Sequence, residues 1–101
     1  SYTKMEEQQK RINQIINDID EKMKGEHDSD TTMIHIMEEI GEISRQLYNK
    51  KIGRDELDVK TLEEEIADSI MLLNRLATLY NIDVEEAINK KITELKRRHN
   101  L

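Results

Sequence analysis

The sequence predicts an all-α fold, a four-helix bundle, and three observations predict it. Proline is absent from the 101 residues and glycine occurs only three times, so little in the chain breaks a helix. Aromatic residues make up 3% of the chain, all of them tyrosine, whereas strands favour aromatic and β-branched side chains. Apolar residues recur at three- and four-residue spacing, the period of a helix buried on one side.

Each helix has its own start and stop signals. The first carries Met5, Ile12, Ile15, Ile16, Ile19 and Met23 at helical spacing. Thr3 and Glu6 form a capping box before it, and Gly25 stops it. Glu26 to Asp30 is a polar loop rich in capping residues. The second helix presents Met33, Ile36, Met37, Ile40, Ile43 and Leu47 and ends near Tyr48 to Lys51, before Gly53. Residues 50–60 read as a loop with room for one helical turn. Thr61 and Glu64 form a second capping box, and the third helix runs to about Tyr80, where Asn81 closes it. Its main apolar stripe is Leu62, Ile66, Ile70, Leu73, Ala77 and Tyr80, and Leu72, Leu76 and Leu79 make a second apolar side. Asp83 with Glu86 caps the fourth helix, whose apolar residues are Val84, Ala87, Ile88, Ile92 and Leu95. Its end is basic, Lys96-Arg97-Arg98, as suits a helix C-terminus.

Length and charge limit the functions open to this chain. Residues 1–101 suffice for one domain. With 36% hydrophobic and 38% charged residues, a chain of this size builds only a thin core, so self-association is expected. The net charge of −6 disfavours a nucleic acid polymer or an anionic membrane as partner. No apolar run approaches the roughly 18 residues of a membrane span, and the first ten residues hold no apolar signal segment. Cysteine is absent, which excludes thiol catalysis and Cys-ligated zinc. The expected compartment is the cytoplasm.

The second helix reads Glu38-Glu39-Ile40-Gly41-Glu42 and the third Glu65-Ile66-Ala67-Asp68. Residues three apart are neighbours on a helix surface, so Glu39 pairs with Glu42 and Glu65 with Asp68. Antiparallel packing of the two helices lets the pairs face each other, and four carboxylates make an oxygen cage for a hard divalent cation. Among 22 acidic residues such pairs also arise by chance, and either motif alone is adequately read as a solvated face. Two on consecutive helices, one continuing into Leu72, Leu76 and Leu79, favour the cage. Gly41 inside the second helix marks either a close approach or a tolerated glycine. His35, one turn before Glu39, is either a further ligand or a partly exposed polar residue.

These motifs, followed by NIDVEEAINKKITELKRRH (Asn81 to His99), resemble the EExxE…ExxD signature and tail of MazG-like nucleoside triphosphate pyrophosphohydrolases. The resemblance covers roughly Thr31 to His99. It implies an all-α fold assembled as a homodimer or homotetramer, with Mg²⁺ (Mn²⁺ as a substitute) and hydrolysis of nucleoside triphosphates between the α and β phosphates. By position, Glu39, Glu42, Glu65 and Asp68 match the metal ligands. Glu38 matches the leading acid that orients or deprotonates water, and Lys91 and Arg98 match phosphate contacts in the tail. Leu95 and His99 stand where Asn and Tyr are common in the family, and Leu72 where some members place Tyr. Related helical enzymes with a narrower substrate, phosphoribosyl-ATP or dUTP, are an alternative, as is a non-catalytic interaction module. With Tyr2, Tyr48 and Tyr80 the only aromatic candidates, Tyr80 read as core and Tyr48 near the mouth of the site, low base discrimination is expected.

Overall fold

The computed structural model describes residues 6–101 and forms four helices, α1 (Glu7–Met23), α2 (Ser29–Lys51), α3 (Val59–Leu79) and α4 (Val84–Arg98), with no strand among the described residues. Thr3 and Met5, like Tyr2, lie outside them. Among the described residues no helix is long and apolar enough to cross a membrane.

Capping carboxylates set the helix starts. Glu6 itself caps α1, accepting from the Gln8 amide at 2.8 Å. Asp28 caps α2 through the Thr31 amide at 2.8 Å. Asp58 caps α3 through the amides of Lys60 and Thr61, so α3 starts before the expected Thr61–Glu64 box: a free carboxylate ahead of Thr61 takes the amides first. Asp83 caps α4 through the Glu86 amide at 3.0 Å, as the sequence indicates. At the end of α1 it is Lys24, φ 53°, that turns left-handed, and Gly25 then donates its amide to the Asp20 carbonyl at 2.9 Å. Asn81 takes the equivalent conformation after α3, φ 56°.

Helix α3 lies at the centre, packed chiefly on α2 and also on α1. Ile12, Ile16 and Ile36 are the buried apolar side chains among the described residues. Polar pins hold the helices in place. Gln9, 2% exposed, donates to the Thr78 hydroxyl and the Ile82 carbonyl and accepts from the Val84 amide. Arg75 donates to the His27 carbonyl and to the side-chain oxygens of Asn13 and Asn17. Pairing Gln9 with Thr78 and Asn17 with Arg75 makes α1 and α3 antiparallel.

Of the two apolar sides of α3, the main stripe is the more open one, and Tyr80, read as core, lies outside the core. Ile66, Ile70, Leu73 and Tyr80 are exposed, Tyr80 by 63%, whereas Glu65, Ser69, Leu72 and Leu76 turn inward. One chain has too few apolar residues to sheathe both sides of a central helix. Helix α4 buries no residue. The radius of gyration is 16.4 Å, where a compact chain of this length has about 13 Å.

Candidate metal and nucleotide site

Helices α2 and α3 are joined by residues 52–58, with Gly53 at φ 76° in the turn. Gln46 of α2 donates to Glu65 of α3 at 2.6 Å. Glu39, seven residues earlier on α2, lines one crevice with Asp68 and Leu72 of α3. Moving back along α2 therefore means moving forward along α3, so the helices run antiparallel and their acidic pairs lie on facing sides.

Electrostatics report this convergence. Glu39 is half-buried, and its carboxyl titrates above the usual glutamate range. Burial is the leading cause, followed by the negative charges of Glu42, Asp68, Glu65 and Glu38. All four residues matched to the metal site thus belong to one electrostatic neighbourhood. The Glu65 carboxylate is turned to Gln46, and among the described residues no group of three or more His, Asp or Glu closes into a metal-holding cluster. The donor set still suits a hard divalent ion: every candidate ligand is a carboxylate oxygen, and burial together with mutual repulsion raises the proton affinity of Glu39.

Of the other expected residues, Glu38 borders the acidic group while Lys91 and Arg98 stand apart from it. Glu38 is exposed, its Oε1 3.6 Å from His35 Nδ1. Lys91 and Arg98 both face Glu94 on their own helix, at 3.3 and 2.7 Å. Among the described residues neither forms an ion pair with the acidic group of α2 and α3. A side chain at Gly41 would meet nothing within 4 Å, so no part of the chain itself approaches closely there.

Two contributors were not singled out from the sequence. Gln46 lies four residues after Glu42 and so shares its face, a signal that was present. His27 sits in the α1–α2 loop, and only tertiary packing brings its ring to 5.3 Å from that of His35. Its Nδ1 lies 2.6 Å from Asp20 Oδ1.

The described residues form an all-helical domain in which two antiparallel helices carry Glu-x-x-Glu and Glu-x-x-Asp pairs. Residues 27–101 match the MazG nucleotide pyrophosphohydrolase domain, and the chain belongs to that family. It is also 33% identical over 69 residues to the uncharacterized protein YpjD of Bacillus subtilis (strain 168), an alignment covering 65% of this chain and 62% of that protein. No solved structure matches it.

Proposed function

We propose that this chain is a Mg²⁺-dependent nucleoside triphosphate pyrophosphohydrolase. An NTP or dNTP and one water would become the nucleoside monophosphate and pyrophosphate. The observation that carries the reading is the antiparallel packing of α2 on α3, with Glu39 and Asp68 lining one crevice and Glu65 held by Gln46 of the facing helix. Family membership supports the reaction class.

Glu39, Glu42, Glu65 and Asp68 are the proposed ligands of Mg²⁺, or of Mn²⁺ in its place. When bound, the ion would neutralise the triphosphate's charge and acidify a water. The chain's own contributions are positional. Antiparallel α2 and α3 hold four acids on facing sides, and Gln46 orients Glu65. Glu38, exposed beside the group, is the proposed proton acceptor for the attacking water. Lys91 and Arg98 are the proposed phosphate contacts. Because α4 stands away from the acidic group, they would act where a second copy brings α4 over it, in a homodimer or homotetramer.

The test is a panel of NTPs and dNTPs with Mg²⁺, assayed for both pyrophosphate and orthophosphate. Pyrophosphate with the matching monophosphate is expected, and Glu39→Gln should reduce the rate by about a hundredfold or more. Orthophosphate with a diphosphate product would overturn the reading, since it requires cleavage between the β and γ phosphates.

A further inference from the structure

Beside the acidic group lies a crevice of 310 Å³ lined by Ile16, Ile19, His27, His35, Glu39, Asp68, Met71 and Leu72. That volume is at the lower end of the roughly 300–1,000 Å³ of small-molecule sites. Its lining is divided by chemistry. Glu39 and Asp68 belong to the acidic group, the isoleucines, Met71 and Leu72 are apolar, and two imidazoles complete it. The isoleucines come from α1, which precedes the segment matched to the family.

The imidazoles are held in place. Their ring centroids are 5.3 Å apart and the planes tilt by 36°, within the range of aromatic pairs. The hydrogen bond between His27 and Asp20 fixes one ring, and both partners are sheltered, at 23% and 14% side-chain exposure. His35 packs against it and is more open, at 45%. A flat ring inserted between them would need about 7 Å, twice a carbon–carbon contact. The surface on offer is therefore an outer imidazole face, that of His35 being the more accessible.

We propose that this crevice is the nucleobase subsite and that His35, braced by His27, is its stacking platform. The inference rests on the reading above and names what that reading leaves out, the groups that hold the base in a chain without Phe or Trp. A ligand whose phosphates reach Glu39 and Asp68 through a divalent ion, with a planar heteroaromatic ring against His35, would span one continuous cavity. Stacking on a ring face accepts every base, so the subsite strengthens nucleotide binding without choosing among bases.

The test uses the full chain and two measurements. The first is titration with a non-hydrolysable α,β-imido NTP and with inorganic tripolyphosphate, both with Mg²⁺. His35→Ala should weaken the nucleotide by about tenfold, the scale of a lost base stack, and leave tripolyphosphate unchanged. His35→Phe, which keeps a ring, should restore binding. Equal weakening of both ligands, or of neither, overturns the proposal. The second is NMR of the histidine ring protons during addition of adenosine, which has no phosphates. Selective shifts of His27 and His35 are expected, and their absence overturns the subsite even in a chain that hydrolyses NTPs. Shifts in a chain without hydrolytic activity would sink the enzymatic reading and leave the subsite standing.

Discussion

Gln46 of α2 donates its side-chain amide to Glu65 of α3 at 2.6 Å, tying an acid of one helix to a neutral donor on the other. The bond spans two elements that meet only in the folded state, so it fixes their register as well as the direction of Glu65. Groups that orient metal-ligating carboxylates typically matter about 10- to 100-fold to metal affinity. Gln46→Ala should therefore weaken Mg²⁺ binding by about tenfold while the helix content by circular dichroism stays unchanged. Titration of the metal by calorimetry checks this, and undiminished affinity would show that Glu65 needs no such guide.

Glu39 gives a prediction of opposite sign for stability. Without a cation its charge is opposed by burial and by Glu42, Asp68, Glu65 and Glu38. Glu39→Gln keeps the side chain's shape and removes the repulsion. The metal-free variant should be more stable than the parent by roughly 0.5–1 kcal/mol, the scale of like-charge contacts near a surface, or about 2–8 °C in Tm for a domain of this size. Added Mg²⁺ should raise the melting temperature of the parent, as ligand binding to the native state does, and barely move that of the variant. Thermal melts with EDTA and with Mg²⁺ separate the two effects.

Two helix caps set a pH dependence at the acid end. Amide and hydroxyl donors of Thr31 around Asp28 and of Thr61 around Asp58 hold both carboxyls below the ordinary aspartate value of 3.8. A carboxyl depressed in the folded state favours folding above its unfolded value, and that contribution disappears as pH falls through the folded value. The caps should thus help at neutral pH and stop helping below about pH 3.8. Acid titration of the parent beside Asp28→Ala and Asp58→Ala tests it. Each variant should melt lower than the parent at pH 7, and the gap should narrow as the carboxyl of the parent protonates.

The helices were legible because their signals are local. Asp83–Glu86 and Asn81 act where the pattern puts them. The start of α3 was misread because two capping solutions lie three residues apart, Asp58 and Thr61, and the carboxylate is the stronger acceptor. The acidic pairs could be read from the sequence because three-residue spacing on a helix survives any packing of the helices, whereas the turn of Glu65 toward Gln46 depends on how α2 meets α3. The side of α3 that faces inward was not legible. Ile66–Ile70–Leu73 and Leu72–Leu76 are both apolar, and hydrophobicity cannot tell a helix packed within its own chain from one awaiting another. His27 beside His35 was invisible because loop geometry carries no period.

That unresolved side of α3 leads to the last prediction, a homo-oligomer built on it. Ile66, Ile70 and Leu73 are 43%, 51% and 48% exposed. Ile70 lines a groove of 670 Å³ with Ile12 and Ile15 of α1 and Met71 of α3. The accessible surface is 7852 Å², against roughly 6,000 Å² for a compact monomer of this mass. The excess exceeds the roughly 800 Å² each partner buries in a standard interface. Isoleucines and leucines left in water forfeit about 25 cal/mol for every Å² that burial would cover, so a second copy laid over this face gains what the lone chain lacks. Ile70→Glu discriminates between an idle surface and an interface. On an idle surface the charge is harmless, because the position is already half in water. In an interface it would lose its hydration without a partner, which costs several kcal/mol. Light scattering should find the parent as a dimer or tetramer at micromolar concentration and Ile70→Glu as a monomer of similar helix content. A monomeric parent would refute the assembly. It would also remove the proposed route by which Lys91 and Arg98 reach the acidic group, since α4 of the same chain stands away from it.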